Sequence, residues 1–223
     1  EKFSYSANLK EYKEIRSNII FENHDYLILN KPSGISVQSG TKSPKNLIDI
    51  LNKFSEDKKF YLVHRIDKET SGIIVFACNR LFAQTLSEQF RNKEVKKSYL
   101  AILYGSIPLN EGTLDHDLVF KVKNQLKTFK AETDFSVLSK NKDFSYVEAT
   151  PITGRKHQIR QQFFKVNHPI VGDRKYEIPH YVNKDKFLML HSYKITFYDK
   201  GKEKTFKVEP PKEFKNFLKK SNL

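Results

Sequence analysis

The 223-residue chain has a single cysteine, Cys78. It can build neither a disulfide framework nor a cysteine-based zinc cluster by itself. Its longest apolar runs are strand-sized, so it lacks a transmembrane helix, and no membrane partner is expected. The start is not signal-like, which suits a reducing, cytoplasmic compartment. The sequence has no Gly-rich nucleotide loop and no cofactor motif, so no cofactor is expected. His64, His157 and His191 are scattered among predicted strands and a helix, and no metal is expected. Repeats are absent, and the only compositional bias is toward lysine. The apolar fraction, 38%, is below the usual globular share. Eighteen Phe and eleven Tyr compensate, because each aromatic ring buries a large area.

Positive charge is abundant. The formal net charge is +14, which favours a polyanionic partner, with nucleic acid the first candidate. A solvated, lysine-rich surface is the blander reading. The length allows one large domain or two small ones with a sizeable core.

Residues 1–18 mix charge with Ser and Tyr without a clear period and read as an arm or linker. Residues 19–223 read as one catalytic domain. Ile19–Phe21, Tyr26–Leu29, Phe60–Val63, Gly72–Ala77 and Val95–Tyr104 read as strands, and Leu47–Leu51 as a short helix. Arg80–Arg91 reads as a helix with Phe82, Leu86 and Phe90 in one stripe and Leu81 beside them. Residues 105–130 read as a long, basic, weakly patterned insertion. Ala131–Ser139 and Asp143–Thr150 suggest a hairpin. Arg155–Val166 suggests a helix with Ile159, Phe163 and Val166 inward. Phe187–His191, Lys194–Tyr198 and Lys204–Val208 read as strands, and Lys212–Lys220 as a closing helix after Pro210-Pro211. The fold class is α+β, with a central, largely antiparallel mixed sheet flanked by helices and loops.

The most informative stretch is Phe60–Ala77. Two apolar runs flank His64-Arg65-Ile66-Asp67-Lys68-Glu69-Thr70-Ser71, a placement that holds polar side chains rigidly at a surface. Taken alone, Asp67 reads as a turn aspartate capping its own backbone. The run His-Arg-Ile-Asp-Lys-Glu-Thr-Ser-Gly, however, resembles the central signature of the RluA-type pseudouridine synthases, with Ile66 in place of a leucine. Asn30-Lys31-Pro32-Ser33-Gly34 resembles the family's first signature, and Lys97-Ser98-Tyr99-Leu100-Ala101 its tyrosine-bearing strand. Thr153-Gly154-Arg155-Lys156-His157-Gln158-Ile159-Arg160 resembles its third motif. His168-Pro169-Ile170-Val171-Gly172-Asp173 and Leu188-Met189-Leu190-His191 follow in the family's order. The resemblance runs from about Ile20 to about Pro211 and is nearest to the RluC-like enzymes of large-subunit ribosomal RNA. Such enzymes often carry an S4-type RNA-binding domain ahead of the catalytic one. Residues 1–18 are too short to be that domain and could be its end.

The resemblance implies a pseudouridine synthase fold and an isomerase that breaks the N1–C1′ bond of uridine, turns the base and joins C1′ to C5. It implies Asp67 as the ionised carboxylate acting near C1′. An arginine beside Asp67 would hold it ionised and fix its rotamer. Arg155 and Arg160 are five apart on the expected helix and point in different directions. Arg160 is taken as the aspartate's partner and Arg155 as an RNA or structural contact, with a solvated basic helix the alternative for both. Tyr99 is the candidate base or the stacking platform for the flipped uracil. A tyrosine in a core strand remains an equal reading. Arg65 is placed to fill the gap left by the base, or it forms an ordinary salt bridge. His64, Lys31 and Leu190 complete the expected substrate-binding set, Leu190 as the apolar residue behind the base. Gln161-Gln162 departs from the Val-His common in the family, which implies different RNA contacts nearby.

The expected partner is RNA, ribosomal RNA first and tRNA second, and the expected state is a monomer. A non-catalytic RNA-binding protein is the reading from another class. Joint retention of Asp67, Tyr99 and Arg160 argues against it, since binding needs only basic and aromatic surface. An aspartate-dependent hydrolase would need a second acid, for which Glu69 is the nearest candidate.

Overall fold

A computed structural model describes residues 2–40, 45–181 and 184–223, with the backbone alone for residues 2–8. In chain order the elements are α1 (Lys2–Ser17), β1 (Ile19–Glu22), β2 (Tyr26–Lys31), α2 (Leu47–Phe54), β3 (Tyr61–Leu62), β4 (Ser71–Ala77) and α3 (Arg80–Arg91). There follow β5 (Lys96–Tyr104), β6 (Glu111–Leu114), β7 (Leu118–Val122), β8 (Gln125–Phe129), β9 (Thr133–Lys140), β10 (Phe144–Pro151) and α4 (Gln158–Lys165). The chain closes with β11 (Leu190–Asp199), β12 (Lys202–Lys207) and α5 (Lys212–Lys220). Residues 1–95 and 194–208 group into one compact unit, and residues 96–193 and 209–223 into another. The class is α+β, with a mixed, mostly antiparallel sheet; the pairs described below are antiparallel. Among the described residues no helix is long and apolar enough to cross a membrane.

In the first unit β1 pairs with β2 and β2 with β4, while β3 lies along β4 and β12 along β11. Every residue of β4 is buried, so it reads as an unbroken apolar run rather than an alternating one. Tyr26, Ile28, Ile73 and Val75 meet Phe82 and Leu86 of α3, together with Ile195 and Phe197. Asn79 starts α3 by accepting from the Phe82 N–H (2.8 Å), and Asn46 does the same for α2 from Asp49 (3.0 Å). Leu81 is 77% exposed. It was expected beside the apolar stripe, but one residue is about 100° of helix turn, which takes it off that face. The expected arm is helical over Lys2–Ser17, and Ile15 is buried.

In the second unit β5 pairs with β10, β10 with β9 and β9 with β6. The expected insertion over 105–130 contains β6 and a separate two-stranded hairpin, β7–β8. The hairpin turns on Lys123 and Asn124, both with positive φ (46° and 64°). This is a primed turn of the kind Asn-Gly usually announces, and a lysine in the first position hid it. The helix expected over Arg155–Val166 begins only at Gln158, because His157 sits in the left-handed region at φ 53°. Arg155 is therefore not helical. Ile159 and Phe163 are buried as expected, but Val166 is the C-cap and only half-buried. Gln158, Arg160 and Gln162 take the remaining inward positions. The expected strand over Phe187–His191 begins at Leu190.

Candidate active site

The first unit carries the Asp67 loop, between β3 and β4. The Thr70 N–H donates to the Asp67 carbonyl (3.1 Å) and closes a turn. Ile66 is buried and Asp67 half-buried, whereas Arg65, Lys68 and Glu69 are exposed. The segment after β2 holds this turn from below. The Gly34 N–H donates to the Lys68 carbonyl (2.8 Å), and Ser33 Oγ donates to the Glu69 carbonyl (2.7 Å). Lys31 Nζ donates to the carbonyls of Pro32 (2.8 Å), Ile35 (2.9 Å) and Lys68 (2.9 Å).

Lys31 is fully buried, and its three ammonium protons have three backbone acceptors. Burial pushes its pKa down to about 7, opposed by the charges of Glu69 and Asp67. His64 Nε2 accepts from the Val75 N–H (2.9 Å), which assigns the ring proton to Nδ1. The ring stacks on Phe90 at 4.8 Å. Lys31 and His64, both expected against substrate, thus have these atoms engaged in holding the loop to β2 and β4.

The second unit carries the other named residues. Tyr99 is 8% exposed on β5, opposite Ala149 of β10. Beside it Ser98 Oγ donates to Glu148. Lys97 is half-buried, and burial lowers its pKa. Leu190 is buried at the first position of β11.

Arg160 is buried and makes a two-pronged pair with Asp173, Nε to Oδ2 at 2.7 Å and Nη2 to Oδ1 at 2.9 Å. Asp173 also accepts from the N–H groups of Lys175 (2.9 Å) and Tyr176 (3.1 Å). The Arg160 guanidinium lies over the Tyr176 ring at 5.3 Å, and the Tyr176 hydroxyl is hydrogen-bonded to His157 Nδ1 (3.0 Å). Gly172, at φ 84°, lets this turn close. A Cβ there would stand 1.8 Å from the Phe187 carbonyl oxygen. Arg155 is exposed and lies over Phe129 at 5.2 Å, with Nε donating to the Lys130 carbonyl (3.1 Å), so it sits at the foot of the β7–β8 hairpin.

The loop thus brings Lys31, His64, Arg65 and Asp67 together in the first unit. Arg160, Tyr99, Arg155 and Leu190 belong to the second. The expected pairing of Asp67 with Arg160 joins residues of different units and is taken up below as a proposal. Sequence reasoning quoted Gly172-Asp173 but gave Asp173 no part. Asp173 lies thirteen positions after Arg160, a spacing that carries no local signal.

Gln162, where the sequence departs from the family pattern, lies inside the unit. It is fully buried, and its Nε2 serves the carbonyls of Leu114 (3.1 Å), His116 (3.3 Å) and Ala131 (2.9 Å). It braces both ends of the segment carrying the hairpin. Among the described residues no group of three or more His, Cys, Asp or Glu could hold a metal ion.

A model of the RNA pseudouridylate synthase family matches residues 25–165. The ribosomal large subunit pseudouridine synthase C of Buchnera aphidicola is 35% identical over 218 residues, 90% of this chain and 69% of that protein. The protein of the same name from Pasteurella multocida is 34% identical, over 92% of this chain and 68% of its own. The dual-specificity RNA pseudouridine synthase RluA of Yersinia pestis is 34% identical, over 86% of this chain and 98% of its own. Among solved structures, human RNA pseudouridylate synthase domain containing 4 has a TM-score of 0.84 at 23% identity, covering 98% of both chains, a likeness of fold.

Proposed function

Because this chain belongs to the RNA pseudouridylate synthase family, we propose that it isomerises uridine to pseudouridine in large-subunit ribosomal RNA, as a monomer in the cytoplasm. The observation that carries the catalytic assignment is the clamp on the Asp67 turn. Lys31, Ser33 and Gly34 all hold the backbone at Lys68 and Glu69, which leaves the aspartate side chain on a rigid support. The proposed chemistry needs no redox change. The N1–C1′ bond breaks, C1′ bonds to C5, the C5 proton passes to solvent and N1 takes a proton up.

Asp67 is proposed to act near C1′ as nucleophile or electrostatic partner. Tyr99 is proposed to serve as the base that takes a proton, or as the face on which the extruded uracil stacks, with Leu190 behind it. Arg160, locked in orientation by Asp173, is proposed to hold the reacting carboxylate of Asp67. Arg65 is exposed on the same loop as Asp67 and is proposed to enter the stack in place of the departed base. Lys31 and His64 are proposed to position that loop. Arg155 and the basic β7–β8 hairpin are proposed to meet the RNA backbone, in keeping with the net charge of +14.

The test is release of tritium from RNA labelled at C5 of uridine. Asp67→Asn should bind RNA as the wild type does and release none. Residual turnover within about tenfold of wild type, worth only about 1.4 kcal/mol in the barrier, would remove Asp67 from the nucleophile role.

A further inference from the structure

The second unit holds an open cavity of about 640 Å³ that the proposed reaction does not use. Tyr104, the last residue of β5, lines it. Tyr99 is five residues earlier on the same strand, and at about 3.4 Å per residue the two stand roughly 17 Å apart. The volume is that of a small-ligand site, for which roughly 300–1,000 Å³ is usual.

One wall is aromatic. Tyr104 lies 5.8 Å from Phe144, and Phe144 lies 5.1 Å from Phe217. Tyr181 stacks on Tyr104 at 5.0 Å, whereas Phe144 and Phe217 are half-buried and keep part of each ring toward solvent. Burial, aided by the charges of Asp185 and Glu177, pushes the Tyr104 phenol up to about 12, so it stays neutral at physiological pH. The rim is cationic. Lys142 stands in the turn between β9 and β10, Lys220 ends α5, and Lys184 joins them, all three exposed. Asp143 and Asp185 line the same cavity. They lower its appeal to a bare polyanion, yet carboxylates accept well from the N–H donors of a base edge.

We propose that this cavity binds an unpaired nucleotide of the RNA substrate, the base on Phe144 and Phe217 and the flanking phosphates against Lys142 and Lys220. Stacking faces beside lysines are the combination that unpaired RNA uses and that a simple anion does not need. The proposal rests on RNA being the substrate and adds a contact remote from Tyr99.

The test uses the full chain and three probes: a short stem-loop bearing the target uridine, the same stem-loop with a single-stranded extension, and inorganic polyphosphate. Lys142→Glu with Lys220→Glu should weaken binding of the extended RNA by about tenfold and lower the slope of its salt dependence by roughly 1.4, the value for two single-strand phosphates. Affinity for the short stem-loop and its turnover should not change. Phe217→Leu should weaken the extended RNA by about fivefold and leave polyphosphate untouched. Wild-type affinity of the charge-reversed variant for the extended RNA would overturn the proposal. Charge-reversal losses without any effect of Phe217→Leu would overturn the nucleotide assignment and leave an anion patch only. A chain that isomerises no uridine but shows both losses would sink the proposed function and keep the cavity assignment.

Discussion

Replacing Asp173 by Asn tests how Arg160, the proposed partner of Asp67, is held. The carboxylate is completely buried, takes both prongs of the Arg160 guanidinium and accepts two backbone N–H groups besides. Asparagine keeps the shape, removes the charge and turns one acceptor into a donor facing donors. Breaking one side of a buried ion pair costs about 3–5 kcal/mol, since the partner's charge stays buried. For a chain of this size each kcal/mol shifts Tm by about 2–4 °C, so a fall on the order of 10 °C is expected. Urea unfolding and calorimetry read the loss directly. A second variant, Asp173→Leu with Arg160→Met, replaces both partners by apolar groups. It should regain part of the lost stability, because no charge is left without its partner, while the Lys175 and Tyr176 N–H groups lose their acceptor. It should nevertheless remain inactive in tritium release, because the arginine is gone. A single variant that loses under about 1 kcal/mol would show that Asp173 does not hold Arg160 as a buried pair. A double variant no more stable than the single one would show that the unpaired charge is not the source of the loss.

Gly172→Ala should cost several kcal/mol and often prevent folding, since its Cβ would overlap the Phe187 carbonyl at 1.8 Å; a thermal melt near wild type would contradict that. Lys31 keeps its proton in the unfolded chain to 10.5 and in the folded chain only to about 7. The folded chain therefore gives up a proton between those values, and this contribution stabilises the fold as pH rises through that window. The stability gap between wild type and Lys31→Met should accordingly move toward wild type from pH 7 to pH 9. A gap moving the other way in urea titrations would show that burial does not govern Lys31. Arg65→Ala should damage single-turnover rates on a structured stem-loop far more than on an unpaired oligonucleotide, because only the former must be unstacked. Equal losses would make Arg65 a support of the loop.

The strands that bury both faces were plain in the sequence. Gly72–Ala77 is apolar throughout and bounded by Ser-Gly, and it matches β4 within one residue. The Asp67 loop was placed correctly as the polar gap before this strand, although the strand expected over Phe60–Val63 is only Tyr61–Leu62 and is half-buried. What escaped was structure set by single backbone positions or by distant pairs. His157 in the left-handed region delays α4 by three residues and separates Arg155 from Arg160. Lys123-Asn124 forms a primed turn without a glycine, so β7–β8 looked unpatterned. Inward Gln158, Arg160 and Gln162 violate the apolar-stripe rule, because each meets partners contributed by other segments of the unit. The clamp of Lys31 on Lys68 spans thirty-seven residues, a separation that carries no local signal.

Pseudouridine formation in large-subunit ribosomal RNA through Asp67 is the proposal on which the other roles rest. Pseudouridines mapped across total RNA, from cells with the gene, without it, and complemented by wild type or Asp67→Asn, test it most directly. One or a few large-subunit sites should vanish with the gene, return with wild type and stay absent with Asp67→Asn. An unchanged large-subunit map, or sites restored by Asp67→Asn, would contradict it.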